Sequence, residues 1–248
     1  MIFESLSLSG SQADFLLMYP QHCNLDSSSI EGHWLRKARE EYGVKLAPIQ
    51  VQHFEGEHTW ADSFTKLLAF NRTQYARVIS LDSHANVLGH MDELFLLPRA
   101  SIAMPRAYWL EEGLSSQIAV IEPSKYQFER ILQAFRRRQE SDFDMETSND
   151  LYARDCVIIP HRMYDLLTGE FRKKDHHREA KYVHFSDWPY PKPWVPNSEV
   201  KRLELQPDCD GAETGERDCS DRRIWNKIYR EYRERRQVST YFAMFGSS

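Results

Sequence analysis

The chain has 248 residues, a formal net charge of −5 and a calculated isoelectric point near 6.1. That length suits one large domain with a sizeable buried core. The acidic balance argues against a general nucleic-acid-binding protein. The longest apolar run falls short of the roughly 20 residues that a membrane-spanning helix needs, and the first residues do not resemble a signal peptide.

Helical and strand-like patterns alternate along the first part of the chain. The predicted elements are a helix over 1–6, a strand over 15–20, a helix over 30–42 ended by Gly43, a strand over 44–54 and a helix over 64–75. Such alternation predicts an α/β fold with a mostly parallel sheet covered by helices on both faces.

The most informative stretch begins with the apolar run Val78, Ile79 and Leu81, which is typical of a strand buried on both faces. The run ends at Asp82, and His84 follows two residues later. Side chains two apart along a strand point to one side, so this carboxyl end has the geometry of a ligand site. Alternatively, Asp82 caps a turn.

The stretch 100–109 predicts a strand followed by a loop that begins at a proline, further strands are predicted over 114–121, 155–159 and 180–183, and a helix is predicted over 124–139. A polar loop over 207–221 precedes an amphipathic helix over 221–236, which we expect either to pack on the domain or to bind a partner. Cys209 and Cys219 flank that loop and could pair in an oxidising compartment, whereas Cys23 and Cys156 lie among apolar neighbours.

The stretch 77–95, RVISLDSHANVLGHMDELF, resembles the Asp-x-Asp segment of family 8 of the retaining glycosyltransferases, with His84 in place of the second Asp. Three further phrases resemble fungal members described as N-acetylglucosaminyltransferase-like: MPRAYWL (104–110), LTGEF (167–171) and HFSDWPYPKPW (184–194). The resemblance covers nearly the whole chain. It implies a GT-A type fold, a UDP-sugar donor and a hydroxyl acceptor.

The resemblance also implies a metal site. In the family, the Asp-x-Asp segment and a histidine ahead of a Lys-Pro-Trp phrase hold a divalent ion, and the lysine grips the donor diphosphate. These positions are Asp82, His84, His184 and Lys192 in this chain, with Asp82 also binding the donor. Because imidazole suits Mn²⁺ better than Mg²⁺, the expected cofactor is Mn²⁺ or another divalent cation of similar preference.

Three positions are implied to be catalytic. Lys66 matches a family lysine that reaches toward the donor sugar and phosphate. Asp144 and Asn149 match the phrase Asp-Gln-x-x-Leu-Asn, with Met145 in place of Gln. In the family this Asp lies near the sugar, where it would stabilise an oxocarbenium-like transition state. From the residues alone, Lys66 is a solvated lysine and Asp144 a helix N-cap.

The spacing of Asp144 and Asn149 is a poor match for one helix face, so a loop running into a helix is expected there. Ser115 and Ser116 stand where the family has an Asn-Ser pair that hydrogen-bonds the sugar. Serines before a strand are also common turn formers, and that interpretation stays open.

Relatives place one more strand before the segment that matches 1–6, and this strand helps to hold the uridine nucleotide. The expected organisation is therefore a GT-A type domain over 1–204 without its first strand, followed by a loop and helix over 205–248. A homodimer is compatible with the sequence, as are the cytoplasm and the Golgi lumen.

Two functions follow from these features. The first is a metal-dependent retaining glycosyltransferase, which moves N-acetylglucosamine or a hexose from a UDP-sugar to a hydroxyl of a glycan, protein or small molecule. The alternative is a catalytically impaired remnant that binds nucleotide or glycan without turnover.

Overall fold

The computed structural model describes residues 1–50, 63–110, 113–137, 144–172, 179–186, 189–211 and 217–245. Its α-helices are α1 (Ile2–Leu8), α2 (Ile30–Tyr42), α3 (Lys125–Arg137), α4 (Asp144–Tyr152), α5 (His161–Tyr164), α6 (Glu199–Glu204) and α7 (Ser220–Phe245). Shorter 3₁₀ helices cover Ser63–Asn71, Asp92–Leu96, Tyr108–Leu110 and Thr168–Arg172.

The strands are short and distributed over the whole chain. They are β1 (Leu16–Pro20), β2 (Lys45–Ile49), β3 (Val78–Leu81), β4 (Ala85–Val87), β5 (Ile102–Pro105), β6 (Ile118–Ile121), β7 (Val157–Ile159), β8 (Leu166–Leu167), β9 (Tyr182–His184), β10 (Asp210–Gly211) and β11 (Arg217–Asp218). The strand predicted over 44–54 ends at Ile49, and its last positions lie outside the described residues.

Local chemistry accounts for the limits of α2. The Ser29 hydroxyl accepts a hydrogen bond from the backbone N–H of Gly32 at 3.2 Å and caps the amino end. Gly43 ends the helix with a φ of 64°, a left-handed conformation that glycine adopts readily. Gly32 itself has no room for a side chain, because a Cβ would lie 2.6 Å from the Ser27 carbonyl oxygen. The predicted helix over 30–42 is confirmed.

The central sheet has the strand order β3-β6-β5-β7, and the α/β fold class is confirmed. The sheet is mixed rather than mostly parallel, because β6 runs antiparallel to both β3 and β5 while β5 and β7 are parallel. A parallel pair needs a crossover connection, usually helical, whereas β5 and β6 are joined by the segment 106–117, which contains the 3₁₀ helix Tyr108–Leu110 but no α-helix among its described residues. Hydrophobicity could not reveal this direction, since β5 and β6 are fully buried.

Besides the central sheet and the hairpin of β10 and β11, the described residues form two further sheets. β1 and β2 pair in parallel, and β9 lies between β4 and β8. β9 runs antiparallel to β4 and parallel to β8. This arrangement brings the segments around Asp82 and His184 together, because Ala85 pairs directly with His184.

The core falls into clusters on either side of the sheet and beneath α7. One cluster, around Phe70, Met104 and Tyr152, fills the space between the central sheet and α3 and α4. Another joins the segment after β9 to α7 through Phe185 and Trp225, and both residues are fully buried. Apolar burial of this kind is the main favourable term in folding. The apolar side of α7 therefore packs on the rest of the domain.

A disulfide bond links Cys209 and Cys219 across the hairpin of β10 and β11. The pairing that the sequence left open is thus present, and it lies directly before the amino end of α7. Cys23 and Cys156 are free thiols. In the part of the chain that the structure describes, no helix is both long and apolar enough to cross a bilayer.

Candidate functional site

The predicted site residues gather at one edge of the central sheet. This edge carries the carboxyl ends of β3, β5 and β7 and the amino end of β6, because β6 runs opposite to its neighbours. The backbone N–H of Asp82 donates to the Gln117 carbonyl at 3.0 Å and extends the ladder by one residue. Buried strands thereby fix where the polar side chains emerge.

Asp82, His84 and His184 form a compact cluster whose candidate ligand atoms all lie within 4.8 Å of one another. The His184 Nε2 atom lies 3.5 Å from Asp82 Oδ2, and the His84 Nε2 atom lies 3.9 Å from the same oxygen. The two imidazole rings meet edge to face at a centroid distance of 4.5 Å. The structure thus brings together the three ligands that the sequence predicted.

The chemistry of the cluster fits a divalent metal ion. His184 is 5% exposed, and neither of its ring nitrogens has a hydrogen-bond partner among the described residues. A buried polar atom without a partner is costly, and a metal ion would satisfy one of these nitrogens. The carboxylate and two imidazoles form the donor set that suits Mn²⁺, Fe²⁺ or Zn²⁺.

The protonation states also suit metal binding. Burial opposes ionisation of Asp82, but the Lys66 ammonium and His184 outweigh it and hold the carboxyl pKa below its usual range. Burial, together with repulsion from His184, lowers the pKa of His84 to about 4. Burial likewise lowers the pKa of His184. At neutral pH the cluster therefore presents an ionised carboxylate and neutral imidazoles, which are the forms that ligate metals.

Lys66 is the centre of a second polar group, beside the cluster of Asp82, His84 and His184. Its Nζ atom lies 3.1 Å from Asp82 Oδ1 and 2.8 Å from Asp144 Oδ2. The same ammonium donates to the carbonyl oxygen of Ser116 at 3.2 Å. Burial alone would lower the pKa of Lys66, but the two carboxylates outweigh burial and raise it. Lys66 is therefore a charged, largely buried bridge rather than a solvated surface lysine.

Asp144 and Asn149 both lie in α4, so the loop expected between them is wrong. Five helical residues turn through about 500°, which leaves the side chains pointing about 140° apart. Asp144 faces Lys66, whereas the Asn149 amide accepts from the Leu114 N–H at 2.8 Å and donates to the Leu114 carbonyl at 2.9 Å. Asn149 therefore fixes the backbone immediately before Ser115.

The two predicted serines have different surroundings. Ser115 is fully buried, and its hydroxyl accepts from the Gln117 N–H at 3.3 Å, as in a serine turn. The Ser116 hydroxyl lies 3.4 Å from Lys66 Nζ, within the polar group at the site. The turn-forming alternative thus describes Ser115, while Ser116 lies among the charged side chains.

Lys192 lies on the proline-rich segment that approaches the metal cluster. Its ammonium lies 5.6 Å from the centroid of the Trp194 ring, and that ring lies 5.7 Å from the ring of His84. The positive charge of Lys192 also contributes, after burial and other groups, to lowering the pKa values of both cluster histidines. The structure therefore places Lys192 next to the metal cluster, on the outer side formed by the segment 189–194.

The sequence analysis missed Asp165, which is fully buried behind the site. In the described ranges, neither of its carboxylate oxygens makes a hydrogen bond, although the Ser115 hydroxyl lies nearby. Burial raises the pKa of this carboxyl well above its usual value, and the nearby Asp82 charge adds to the rise. The available signal was a single acidic residue inside the otherwise apolar phrase of residues 163–167.

No protein-family model matches the chain. Glucose N-acetyltransferase 1 of Gibberella zeae is 49% identical over 96% of this chain, which spans only 58% of that protein's length. Glucose N-acetyltransferase 1 of Aspergillus fumigatus is 42% identical over 96% of this chain and 72% of its own length. The protein of the same name from Candida albicans is 24% identical over 77% of this chain and 70% of its own length.

Solved glycosyltransferase structures share the fold at low identity. The glycosyltransferase GlyE of Streptococcus pneumoniae superposes with a TM-score of 0.56 at 17% identity, over 94% of this chain and 58% of its own. The galactosyltransferase LgtC, solved with donor and acceptor sugar analogues, superposes with a TM-score of 0.59 at 11% identity, over 82% of this chain and 88% of its own.

The mixed sheet, with the Asp-His-His cluster at its edge, therefore has the GT-A type fold of these solved glycosyltransferases. The resemblance to fungal transferases is confirmed by the sequence relatives. The chain belongs to the glucose N-acetyltransferase 1 family of fungi.

Proposed function

We propose that the chain transfers N-acetylglucosamine or a hexose from a UDP-sugar to a hydroxyl acceptor, with retention of configuration. The observation that carries this proposal is the Asp82, His84 and His184 cluster beside the Lys66 and Asp144 ion pair. The fold shared with solved glycosyltransferases, together with the fungal relatives, supports sugar transfer, and the family 8 resemblance of residues 77–95 supports the donor and the stereochemistry.

Asp82, His84 and His184 would hold the divalent cation, with Mn²⁺ favoured over Mg²⁺ by the two imidazoles. When bound, such an ion neutralises the negative charge that accumulates on the departing nucleotide diphosphate. Lys192, on the outer side of the cluster, would bind the same diphosphate as a point charge.

The remaining residues act on the sugar and its surroundings. Asp144 would stabilise the positive charge that develops on the sugar ring as the diphosphate departs, because a fixed negative charge in a dry site acts strongly. Lys66 holds Asp144 and Asp82 in place, and its charge helps to keep the Asp82 carboxyl ionised. Ser116 would hydrogen-bond the donor sugar, while Ser115 and Asn149 hold the backbone that presents it.

The acceptor hydroxyl would attack the sugar on the face from which the diphosphate departs, which gives retention. The acceptor would be a glycan, or else a hydroxyl on a protein or small molecule. The alternative, a remnant without turnover, is not favoured. The three ligand side chains and both Lys66 ion pairs are assembled.

Calorimetric titration of UDP into the folded protein, with and without Mn²⁺, tests the assembly of the donor site. We expect binding that depends on Mn²⁺ and is lost in His184→Ala. His90→Ala is the matched control, because His90 is an exposed histidine paired only loosely, at 3.8 Å, with Glu93. Absence of UDP binding in folded wild-type protein would contradict the proposal, as would equal binding by His184→Ala.

A second measurement addresses the reaction itself. Incubation with UDP-N-acetylglucosamine and UDP-glucose, followed by NMR of the released sugar or glycoside, reports both the donor and the anomeric configuration. A first-formed product with the donor's configuration is expected. Inverted configuration would overturn the retaining mechanism but leave sugar transfer standing.

A further inference from the structure

The 3₁₀ helix Tyr108–Leu110 exposes three large apolar side chains in a row. Tyr108 is 65% exposed, Trp109 is 38% exposed and Leu110 is 47% exposed. They belong to the sequence MPRAYWL (104–110), and none of these residues has a role in the proposed donor site. Exposed apolar side chains that adjoin one another mark a binding surface more often than the same residues scattered singly.

Hydrogen bonds hold the described residues before and after these side chains. The Ala107 N–H donates to the Gly113 carbonyl at 2.8 Å, and the Leu110 N–H donates to the Ala107 carbonyl at 2.8 Å. At the end of the loop, the two Asn149 hydrogen bonds fix Leu114. The aromatic rings are therefore presented in a preset position, which reduces the entropy lost when a ligand stacks on them.

A buried histidine supports the two rings from the protein side. The ring of His161 lies 5.3 Å from the Tyr108 ring and 5.7 Å from the Trp109 ring. Its Nε2 atom lies 2.8 Å from Glu170 Oε2, whereas its Nδ1 atom is buried and has no hydrogen-bond partner among the described residues. His161 is only 6% exposed, so this unpaired polar atom requires an explanation.

The aromatic pair lies at the same edge of the sheet as the metal cluster. Tyr108 follows the carboxyl end of β5, and Ser115 and Ser116 precede the amino end of β6 at that edge. Glu170, the partner of His161, also accepts from the Leu167 N–H at 2.9 Å, and Leu167 pairs with His184 in the ladder of β8 and β9. A short series of direct contacts thus connects the rings to a predicted metal ligand.

We propose that Tyr108 and Trp109 form the platform on which the pyranose ring of the acceptor stacks. A pyranose has an apolar C–H face, which matches the exposed faces of two adjacent aromatic rings, while its hydroxyls stay in water or meet the polar groups at this edge of the sheet. The charged diphosphate of the donor fits the Asp82 and Lys192 side of the edge instead. The inference rests on the proposed sugar transfer, since it assigns the second substrate of the same site.

Saturation-transfer NMR with the methyl pyranosides of glucose, galactose and mannose, in the presence of UDP and Mn²⁺, tests the platform. We expect at least one of these pyranosides to bind the wild-type protein. The same pyranoside should bind Trp109→Ala about tenfold more weakly, which is the effect of losing one ring contact. Trp109→Phe keeps a ring and should retain most of the affinity. Tyr126→Ala is the control, because Tyr126 is 70% exposed at the start of α3, beyond the opposite end of β6.

UDP titration of the same variants separates this inference from the proposed function. If UDP binds but no pyranoside binds, or if Trp109→Ala binds pyranosides as tightly as wild type, the platform is overturned while the donor site stands. If a pyranoside binds in the Trp109-dependent way but UDP does not bind, the proposed function fails and the sugar platform remains. Unchanged UDP affinity in Trp109→Ala, with weakened pyranoside binding, is the expected result.

Discussion

At the scale of single residues, the site is organised by charges that are buried together. Lys66 carries one positive charge between two carboxylates, and its side chain is only 23% exposed. Ion pairs in such surroundings are not large net contributors to stability, but removal of one partner leaves the other uncompensated. The cost of breaking the group is therefore much larger than the gain from forming it.

Replacement of Lys66 by methionine should destabilise the protein by about 3 kcal/mol, because Asp82 and Asp144 would stay buried without their counter-charge. Urea unfolding monitored by circular dichroism would measure this loss. Lys45→Met is the matched control, since the ion pair of Lys45 with Asp14 is exposed on both sides and should matter little. Equal stabilities of the two variants would contradict this account.

Asp165 should make the stability depend on pH in the opposite sense to an ordinary paired carboxylate. Burial raises its folded-state pKa well above 3.8, so the folded protein binds more protons than the unfolded chain between those two values. Stability therefore falls as pH rises through that window. We expect Asp165→Asn to have a higher melting temperature than wild type at pH 7, with a difference that shrinks toward pH 4. A constant difference across this range would show that Asp165 does not titrate as described.

At the scale of elements, the sequence predicted positions better than directions. The strand over 78–81 and the helix over 30–42 were predicted from apolar periodicity, and short motifs predicted that residues 82, 84 and 184 lie together, because these patterns are local features. The antiparallel direction of β6 could not be predicted from the sequence, because a strand buried on both faces has the same hydrophobic pattern in either direction.

The same limit explains what the sequence left uncertain within α4 and behind the site. Whether Asp144 and Asn149 belong to one helix depends on their separate partners, Lys66 and Leu114, which are distant in sequence. Asp165 is buried by segments that are distant from it in sequence, so the residues around it in the chain do not predict its burial. The domain boundary at 204 stays a prediction.

The disulfide between Cys209 and Cys219 should stabilise the hairpin that leads into α7. The bond joins cysteines 10 residues apart in sequence, and closing a loop of that size is worth about 2–3 kcal/mol by restriction of the unfolded chain. We expect the double change Cys209→Ser and Cys219→Ser to lower stability to urea by about that amount. Cys23→Ser removes a free thiol and serves as the control. A wild-type protein insensitive to reducing agent would contradict the prediction.

At the scale of the whole molecule, the two ends of the described chain meet around the domain. Arg235 of α7 lies 3.1 Å from the carboxylate of Glu4 in α1. The aromatic side of α7 packs against the segment that follows His184, with Phe185 and Tyr232 at a ring distance of 4.7 Å. The Tyr229 hydroxyl donates to Thr168, which in turn contacts Ser186 at 3.0 Å. α7 is thus part of the support of the site.

Trp225→Ala should lower both the stability of the fold and the affinity for the donor nucleotide. Trp225 is fully buried against Tyr190 and Tyr229, so truncation is expected to cost about 3–5 kcal/mol. Because Tyr190 belongs to the segment that carries Lys192, UDP affinity measured on the remaining folded protein should also fall. Val200→Ala, at a residue 65% exposed, is the control for both measurements. Full UDP affinity in Trp225→Ala would show that α7 stabilises the fold without shaping the site.

The packing of α7 also has a consequence for the order in which the protein matures during synthesis. Domains begin to fold from the amino end while the ribosome is still extending the chain. The strands that carry Asp82 can pair early, but the segment around Lys192 and Trp194 is covered by side chains of α7, which emerges after all of them. We therefore expect a nascent chain stalled before residue 220 to present a collapsed sheet to chaperones without a binding-competent site.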